Sequence, residues 1–226
     1  LKKGLKRGVT YEVLLNGVDV VNLCAVKDKN LFRIPDNKVV ILFIGKLEKY
    51  KGCYEFVESI LLMLEKKHQN IHAIMVGTGG EEIYLRNTVK KEHATKYFTF
   101  IDRLPHDQIW AAHEMSAIYV SMNHLGNLSN ANLEAIQLND CMIIPDPQLD
   151  SGIDVVTHQL LGNSITSVPI KSPVLLAKSI HKLILSKKDR KEKERLLENK
   201  KNDFLWSWND RVRAEIMLLE KLIKDK

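Results

Sequence analysis

Residues 39–44 read VVILFI, an apolar run without alternation that feeds directly into Gly45-Lys46-Leu47. A strand that is apolar on both faces belongs inside a sheet covered by helices on both sides. The same pattern recurs along the chain. Strands are expected at 39–44, 71–76, 97–101, 117–121, 141–144 and 165–168, and helices at 53–67, 81–93, 106–114, 130–138 and 173–186. Repeated βα units with short connections predict an α/β fold, a Rossmann-like doubly wound parallel sheet, followed by C-terminal helices. Ligands of such sheets sit beyond the carboxyl ends of the strands. Lys46, Lys51, the Gly77-Thr78-Gly79-Gly80 turn and residues 122–130 all fall there. Lys46 and Lys51 flank a short turn, and Gly52 permits close packing before the next helix. Two ammonium groups beside a helix start suit a dianion or diphosphate. Taken alone, lysines in a loop are more simply read as solvated.

The chain has 226 residues, 45% hydrophobic and 27% charged, which suits a soluble globular protein. Its formal net charge of +6 owes much to Leu1–Gly8 and Ser186–Lys201. Such a balance favours anionic partners: a nucleotide, an acidic membrane surface, or nucleic acid without specificity. The stretch from Lys187 to Glu194 mixes signs as a solvated helix does. The three cysteines, Cys24, Cys53 and Cys141, have no CxxC spacing. They predict neither a disulfide framework nor zinc, and fit a reducing cytoplasm. No apolar run is long enough to span a bilayer, and no signal peptide is visible. The chain begins abruptly at Leu1, as a fragment of a longer polypeptide would. Tyr11–Asp19 reads as a short strand ending in an Asn-Gly turn, and Arg190–Lys226 as two helices around Trp206-Ser207-Trp208.

Several segments together resemble one family. Asn16-Gly17-Val18-Asp19 is similar to the NGVD turn that leads into the second domain of GT-B glycosyltransferases. Gly45-Lys46-Leu47 followed by Lys51-Gly52 is similar to their G-[RK]-L-x3-K-G element, and Gly77-Thr78-Gly79 to their VGxG turn. Leu133-Glu134-Ala135 is similar to the LEA helix of the E-x7-E motif. Trp208, Arg211 and Val212 are in register with the closing W-x2-R-V segment. The chain resembles the second domain of retaining, family-4-type (group 1) nucleotide-sugar glycosyltransferases over nearly its whole length. Each motif is weak alone; their order on alternating βα units carries the resemblance.

The resemblance implies that residues 1–20 are an inter-domain linker and lead-in strand, that 21–186 bind the nucleotide-sugar donor, and that 187–226 are C-terminal helices. An N-terminal acceptor domain would then be absent from this chain, and the fragment alone would be nearly inactive. It implies a hexosyltransferase-type reaction in which Lys46 and Lys51 neutralise the donor diphosphate. Lys46 stands where arginine is usual, so the bidentate fork is lost. Glu134 is placed at the donor ribose, early in a helix capped by Ser129 or Asn130; an ordinary glutamate easing the helix dipole is the alternative. Gly45, Gly126, Asn127, Leu128, Ser129 and Asn130 would border the donor; Arg103 would stack on or border its base, or is an ordinary surface arginine. The first carboxylate of E-x7-E is missing: Gly126 occupies that position. Backbone N–H groups of Asn127, Leu128 and Ser129, or the Asn127 side chain, would contact the sugar or phosphate there; a degraded, inactive site is the competing explanation. His106 and His124 show no carboxylate partner nearby in sequence, and Asp102, Asp146 and Asp150 have no metal-ligand spacing. No metal and no cofactor is expected beyond the donor itself. The acceptor would be a sugar, a lipid-linked acceptor or a protein, with peripheral membrane contact through Lys2-Lys3 and Lys6-Arg7. A non-catalytic nucleotide-binding or partner-docking module is the competing reading. A dinucleotide oxidoreductase is disfavoured, because no G-x-G-x-x-G follows the first strand.

Overall fold

A computed structural model describes residues 14–18, 32, 34–35 and 37–224. Six strands form one all-parallel sheet: β1 (Val39–Ile44), β2 (Ile71–Val76), β3 (Phe98–Ile101), β4 (Ile118–Val120), β5 (Met142–Pro145) and β6 (Thr166–Val168). Their order is β3-β2-β1-β4-β5-β6. The chain therefore builds outward from β1 to β3, then returns to the other side of β1 and builds outward again. The reversal between β1 and β4 opens a crevice at their carboxyl ends, the topological switch point where ligands of open α/β sheets bind.

The connecting helices are α1 (Cys53–Glu65), α2 (Glu82–Lys91), α3 (His106–Met115), α4 (Asn130–Gln137), α5 (Val155–Leu161) and α6 (Pro173–Leu185). They divide between two apolar layers. Ile41 and Phe43 of β1 face α1, α2 and α6, while Val40 and Leu42 face α3, α4 and α5. This is why the strand is apolar without alternation: each face packs on helices. The strands and helices expected from residue 39 onward are all present within a few residues. The sequence reading missed α5, a two-turn helix that starts at Asp154 in a left-handed conformation (φ 60°) with no apolar period to announce it.

Two helices follow, α7 (Lys187–Lys201) and α8 (Trp208–Lys224). Ser186 caps α7 by accepting from the Asp189 N–H, and α7 buries Leu197 in the second layer. The helix α8 leaves Trp208, Val212, Ile216, Leu219, Leu222 and Ile223 exposed. The strand expected over Tyr11–Asp19 is corrected where it can be compared: residues 14–18 have no regular structure, and residues 11–13 and 19 lie outside the described residues, as do Cys24 and the basic stretch at the start. Val18 N–H instead donates to Trp206 O at 2.9 Å. A Cβ on Gly17 would lie 2.5 Å from Trp208 Cα, so the Asn-Gly and Trp-Ser-Trp segments pack backbone to backbone.

Candidate functional site

The crevice is lined first by the turn after β1. This turn interlocks with the turn after β2. Gly45 N–H donates to Val76 O at 3.0 Å, Leu47 N–H to Thr78 O at 3.0 Å, and Glu81 N–H to Leu47 O at 3.0 Å. A Cβ on Gly77 (φ 138°) would sit 2.0 Å from Gly45 O, closer than any real contact. Leu47 is buried beneath the turn while Lys46 is exposed beside it. The chain then makes a 3-10 turn over Lys49–Lys51 and enters α1 through Gly52, whose φ of 76° is left-handed. A Cβ there would lie 2.4 Å from Met122 O. The lysine turn is thereby wedged against the loop after β4.

Lys46 and Lys51 share this space. The Lys51 ammonium is held below the ordinary lysine value, first by partial burial and second by repulsion from Lys46. An anion between the two groups would relieve the second effect and compensate the first.

The second wall is the loop after β4, residues 121–129, which leads into α4. A buried polar network shapes it. Asn127 N–H donates to Asp154 Oδ1 at 2.7 Å, and its amide Nδ2 donates to Asp154 Oδ2 at 2.7 Å and to Asn123 O at 2.9 Å. Asn127 Oδ1 accepts from Ser121 Oγ at 2.8 Å, and Asn132 Nδ2 donates to Asn127 O at 3.0 Å. Tyr119 OH completes the chain by donating to Asn132 Oδ1 at 2.9 Å. Asn127, Asn132 and Asp154 are all buried. The Asn127 side chain and N–H are thus engaged within the protein, and its part in the site is to hold the loop. Gly126 lies at φ 119° with nothing within 4 Å of where a Cβ would be.

Ser129 is the N-cap residue of α4, without a side-chain cap bond. Asn130 Oδ1 accepts from Asn16 Nδ2 at 2.7 Å, which brings the Asn-Gly turn to the start of this helix. Glu134 lies in the second turn of α4, so no acidic residue occupies the first turn, and easing of the dipole does not account for it. Its carboxylate is 13% exposed, and Oε1 faces His106 Nε2 at 3.4 Å. Trp110 Nε1, which can only donate, donates to His106 Nδ1 at 3.0 Å. That fixes the His106 proton on Nε2, toward Glu134.

Here the sequence reading is corrected: both histidines have carboxylate partners, contributed by distant segments. His124 Nε2 is 2.6 Å from Glu55 Oε1, 69 residues away in the chain. Arg103 is exposed at the carboxyl end of β3. Among the described residues no cluster of three or more His, Cys, Asp or Glu side chains could hold a metal ion. Cys53 and Cys141 are buried and free, and burial raises both thiols to about 12.

Solved structures share this fold. The C-terminal domain of a group 1 glycosyl transferase family protein (LpcC) from Francisella tularensis aligns with a TM-score of 0.65 and 21% identity, covering 76% of this chain and 87% of that one. Sucrose-phosphate synthase from Thermosynechococcus elongatus aligns at 0.71 and 13% identity, over 88% of this chain and 49% of that one. The pneumococcal O-GlcNAc transferase GtfA, solved with UDP and GlcNAc, aligns at 0.63 and 17% identity, over 83% and 36% respectively. The chain therefore spans about half or less of the length of the latter two. At these identities the likeness is one of fold, the Rossmann-like half of a GT-B enzyme. No curated protein matches the chain. The pattern defining the family "Glycosyl transferases group 1" matches residues 27–203, and the chain belongs to that family.

Proposed function

We propose that this chain is the donor-binding half of a retaining glycosyltransferase, which holds a nucleoside diphosphate-sugar in the crevice between β1 and β4. The observation that carries the reading is the pairing of Lys46 and Lys51 at the switch point, opposite the uncapped N-terminus of α4. A diphosphate placed there meets two ammonium groups on one side and helix N–H groups on the other. The Leu128 and Ser129 N–H groups have no partner among the described residues, and they are available to the phosphate or the sugar. Glu134 accepts from the ribose hydroxyls, and Arg103 borders the base.

Transfer breaks the bond between the anomeric carbon and the phosphate oxygen and forms one to the acceptor oxygen on the same face. The acceptor proton passes to the leaving phosphate. Negative charge grows on that phosphate in the transition state, where Lys46 and Lys51 stabilise it. No step requires a metal. The acceptor site and the exclusion of water belong to a second domain of similar size, so this chain alone binds donor and transfers little. The acceptor is a sugar, a lipid-linked acceptor or a protein, met in the cytoplasm with peripheral membrane contact. No helix among the described residues is long and apolar enough to cross a membrane.

A second reading, a non-catalytic nucleotide-binding module, is favoured by one observation: Gly126 stands where the family has a carboxylate. Calorimetric titration of the chain with UDP, GDP, ADP and CDP tests the site, and transfer by the two-domain protein, which a non-catalytic module would lack, separates the two readings. Selective binding of one of them, weakened about tenfold or more by Lys51→Ala and by Glu134→Ala, is the expected result. A folded chain that binds none of the four overturns the donor reading. Undiminished transfer by both variants in the two-domain protein would overturn the assigned roles.

A further inference from the structure

Besides the steric contact of Gly52 with Met122, His124 joins the two walls of the crevice by hydrogen bonds. The wall that carries Lys46 and Lys51 follows β1, and the wall that carries Asn127 to Glu134 follows β4. A diphosphate must touch both, so the distance between them is set by whatever ties them. His124 N–H donates to Tyr50 O, inside the lysine turn, at 2.8 Å. Its side-chain Nε2 meets Glu55 Oε1 at 2.6 Å, in the first turn of α1. Its carbonyl accepts from Gln148 Nε2 at 3.1 Å, in the loop after β5. Glu55 Oε1 also accepts from Lys171 N–H at 3.3 Å, in the loop after β6. One residue and its carboxylate partner thus bind together the loops that follow β1, β4, β5 and β6.

The chemistry of the pair fixes its direction. Glu55 is buried, with its side chain 7% exposed, and the His124 side chain is 16% exposed. An ionised carboxylate only accepts, and Glu55 sits where a helix N-terminus favours negative charge. His124 must therefore present a proton on Nε2. A cavity of about 390 Å³, lined by Lys49, Glu55, His124 and Lys171 among others, borders the pair. Loss of the imidazole would enlarge that space instead of letting the loops close over it.

We infer that His124 is a positioning residue for the donor site: it holds the lysine turn at the spacing from α4 that a diphosphate bridges. The inference rests on the donor reading above. It predicts a coupling that a merely structural histidine would not show. His124→Ala weakens binding of the preferred nucleoside diphosphate about tenfold, the loss expected for a charge-assisted hydrogen bond. His124→Gln retains most of the affinity, because its amide Nε2 lies the same number of bonds from Cα and donates to Glu55. In a Lys51→Ala background the His124→Ala loss largely disappears, since the lysine being positioned is gone. Amide hydrogen exchange on His124→Ala speeds up together at residues 49–52 and 126–130, while β1 and β4 stay protected, which also shows that the variant folds.

Unchanged affinity in a folded His124→Ala overturns the inference and leaves the donor reading standing. So does a loss of equal size with and without Lys51, or failure of His124→Gln to rescue. Absence of nucleoside diphosphate binding by the unaltered chain overturns both.

Discussion

The two walls of the crevice reach rigidity by different means. The turn after β1 is held by backbone against backbone: Gly77 under the Gly45 carbonyl, Gly52 against Met122, and main-chain hydrogen bonds from Gly45 and Leu47 to the neighbouring turn. The loop after β4 is held by side chains: Asn127, Asn132, Ser121 and Tyr119 bonded around the buried carboxylate of Asp154. A steric lock admits one residue type at each contact and leaves the lysine side chains outside it. A polar lock depends on every member being satisfied, because each buried group that loses its partner costs about 1–3 kcal/mol.

The largest expected effects test the steric lock. Gly52→Ala places a Cβ 2.4 Å from the Met122 carbonyl oxygen at a left-handed φ of 76°. Clash and strain together should cost about 3 kcal/mol or more, read as a drop in the urea midpoint at unchanged slope. Full stability in Gly52→Ala would mean that the two walls do not press on each other there.

The polar lock is next. Asp154→Ala strands the Asn127 N–H and one of the two Asn127 amide protons, and frees Thr157 Oγ1, which donates to Asp154 Oδ1 at 3.0 Å. A loss of about 2–3 kcal/mol is expected, with nucleoside diphosphate affinity falling further than stability alone explains, because the Leu128 and Ser129 N–H groups are no longer fixed. A loss well below 1 kcal/mol would show that water replaces Asp154 and that the loop is not locked by it.

The same contrast explains what the sequence disclosed. The strands, the lysine turn and its glycines are legible because they rest on local signals: an unbroken apolar run, Gly-Lys-Leu, Lys-Gly, Gly-Thr-Gly. Their partners follow once the strands are laid side by side. The β4 loop was only half legible. Asn127 reads as a candidate ligand group, since nothing local says that its amide is already engaged by Asp154, 27 residues on. Asp154 in turn sits in a stretch with no apolar period, at the start of the helix that was missed. His106 and His124 read as unpartnered for the same reason: Glu134 and Glu55 reach them only through the tertiary fold. Polar side chains declare their type in sequence but not their partners.

A smaller effect sharpens the comparison at Gly126, where the resemblance to the E-x7-E motif would put a carboxylate. Gly126→Glu restores the carboxylate. The space around a Cβ there is open, so the cost is that of holding a side chain at φ 119°, about 1–2 kcal/mol. A larger loss would mean that the open region closes in solution, and increased transfer in the two-domain protein would identify the missing carboxylate as a lost sugar contact.

The smallest effect is a pH dependence of binding, and its sign follows from the lysine pair. In the free protein Lys51 is depressed below 10.5 by burial and by Lys46, so it loses its proton at a lower pH than an ordinary lysine. A bound diphosphate favours the charged form. Affinity is therefore level at pH values where Lys51 is charged in both states, and falls as pH rises through its free-state value, with proton uptake on binding in that alkaline window. Lys46→Ala removes the second cause of the depression. It should lower affinity throughout and move the alkaline limb to higher pH. Titrations in two buffers of different ionisation enthalpy measure the proton uptake directly. A limb that stays in place in Lys46→Ala would show that the two ammonium groups do not share one anion, and the steric lock would then be holding a solvated turn instead of half of a diphosphate site.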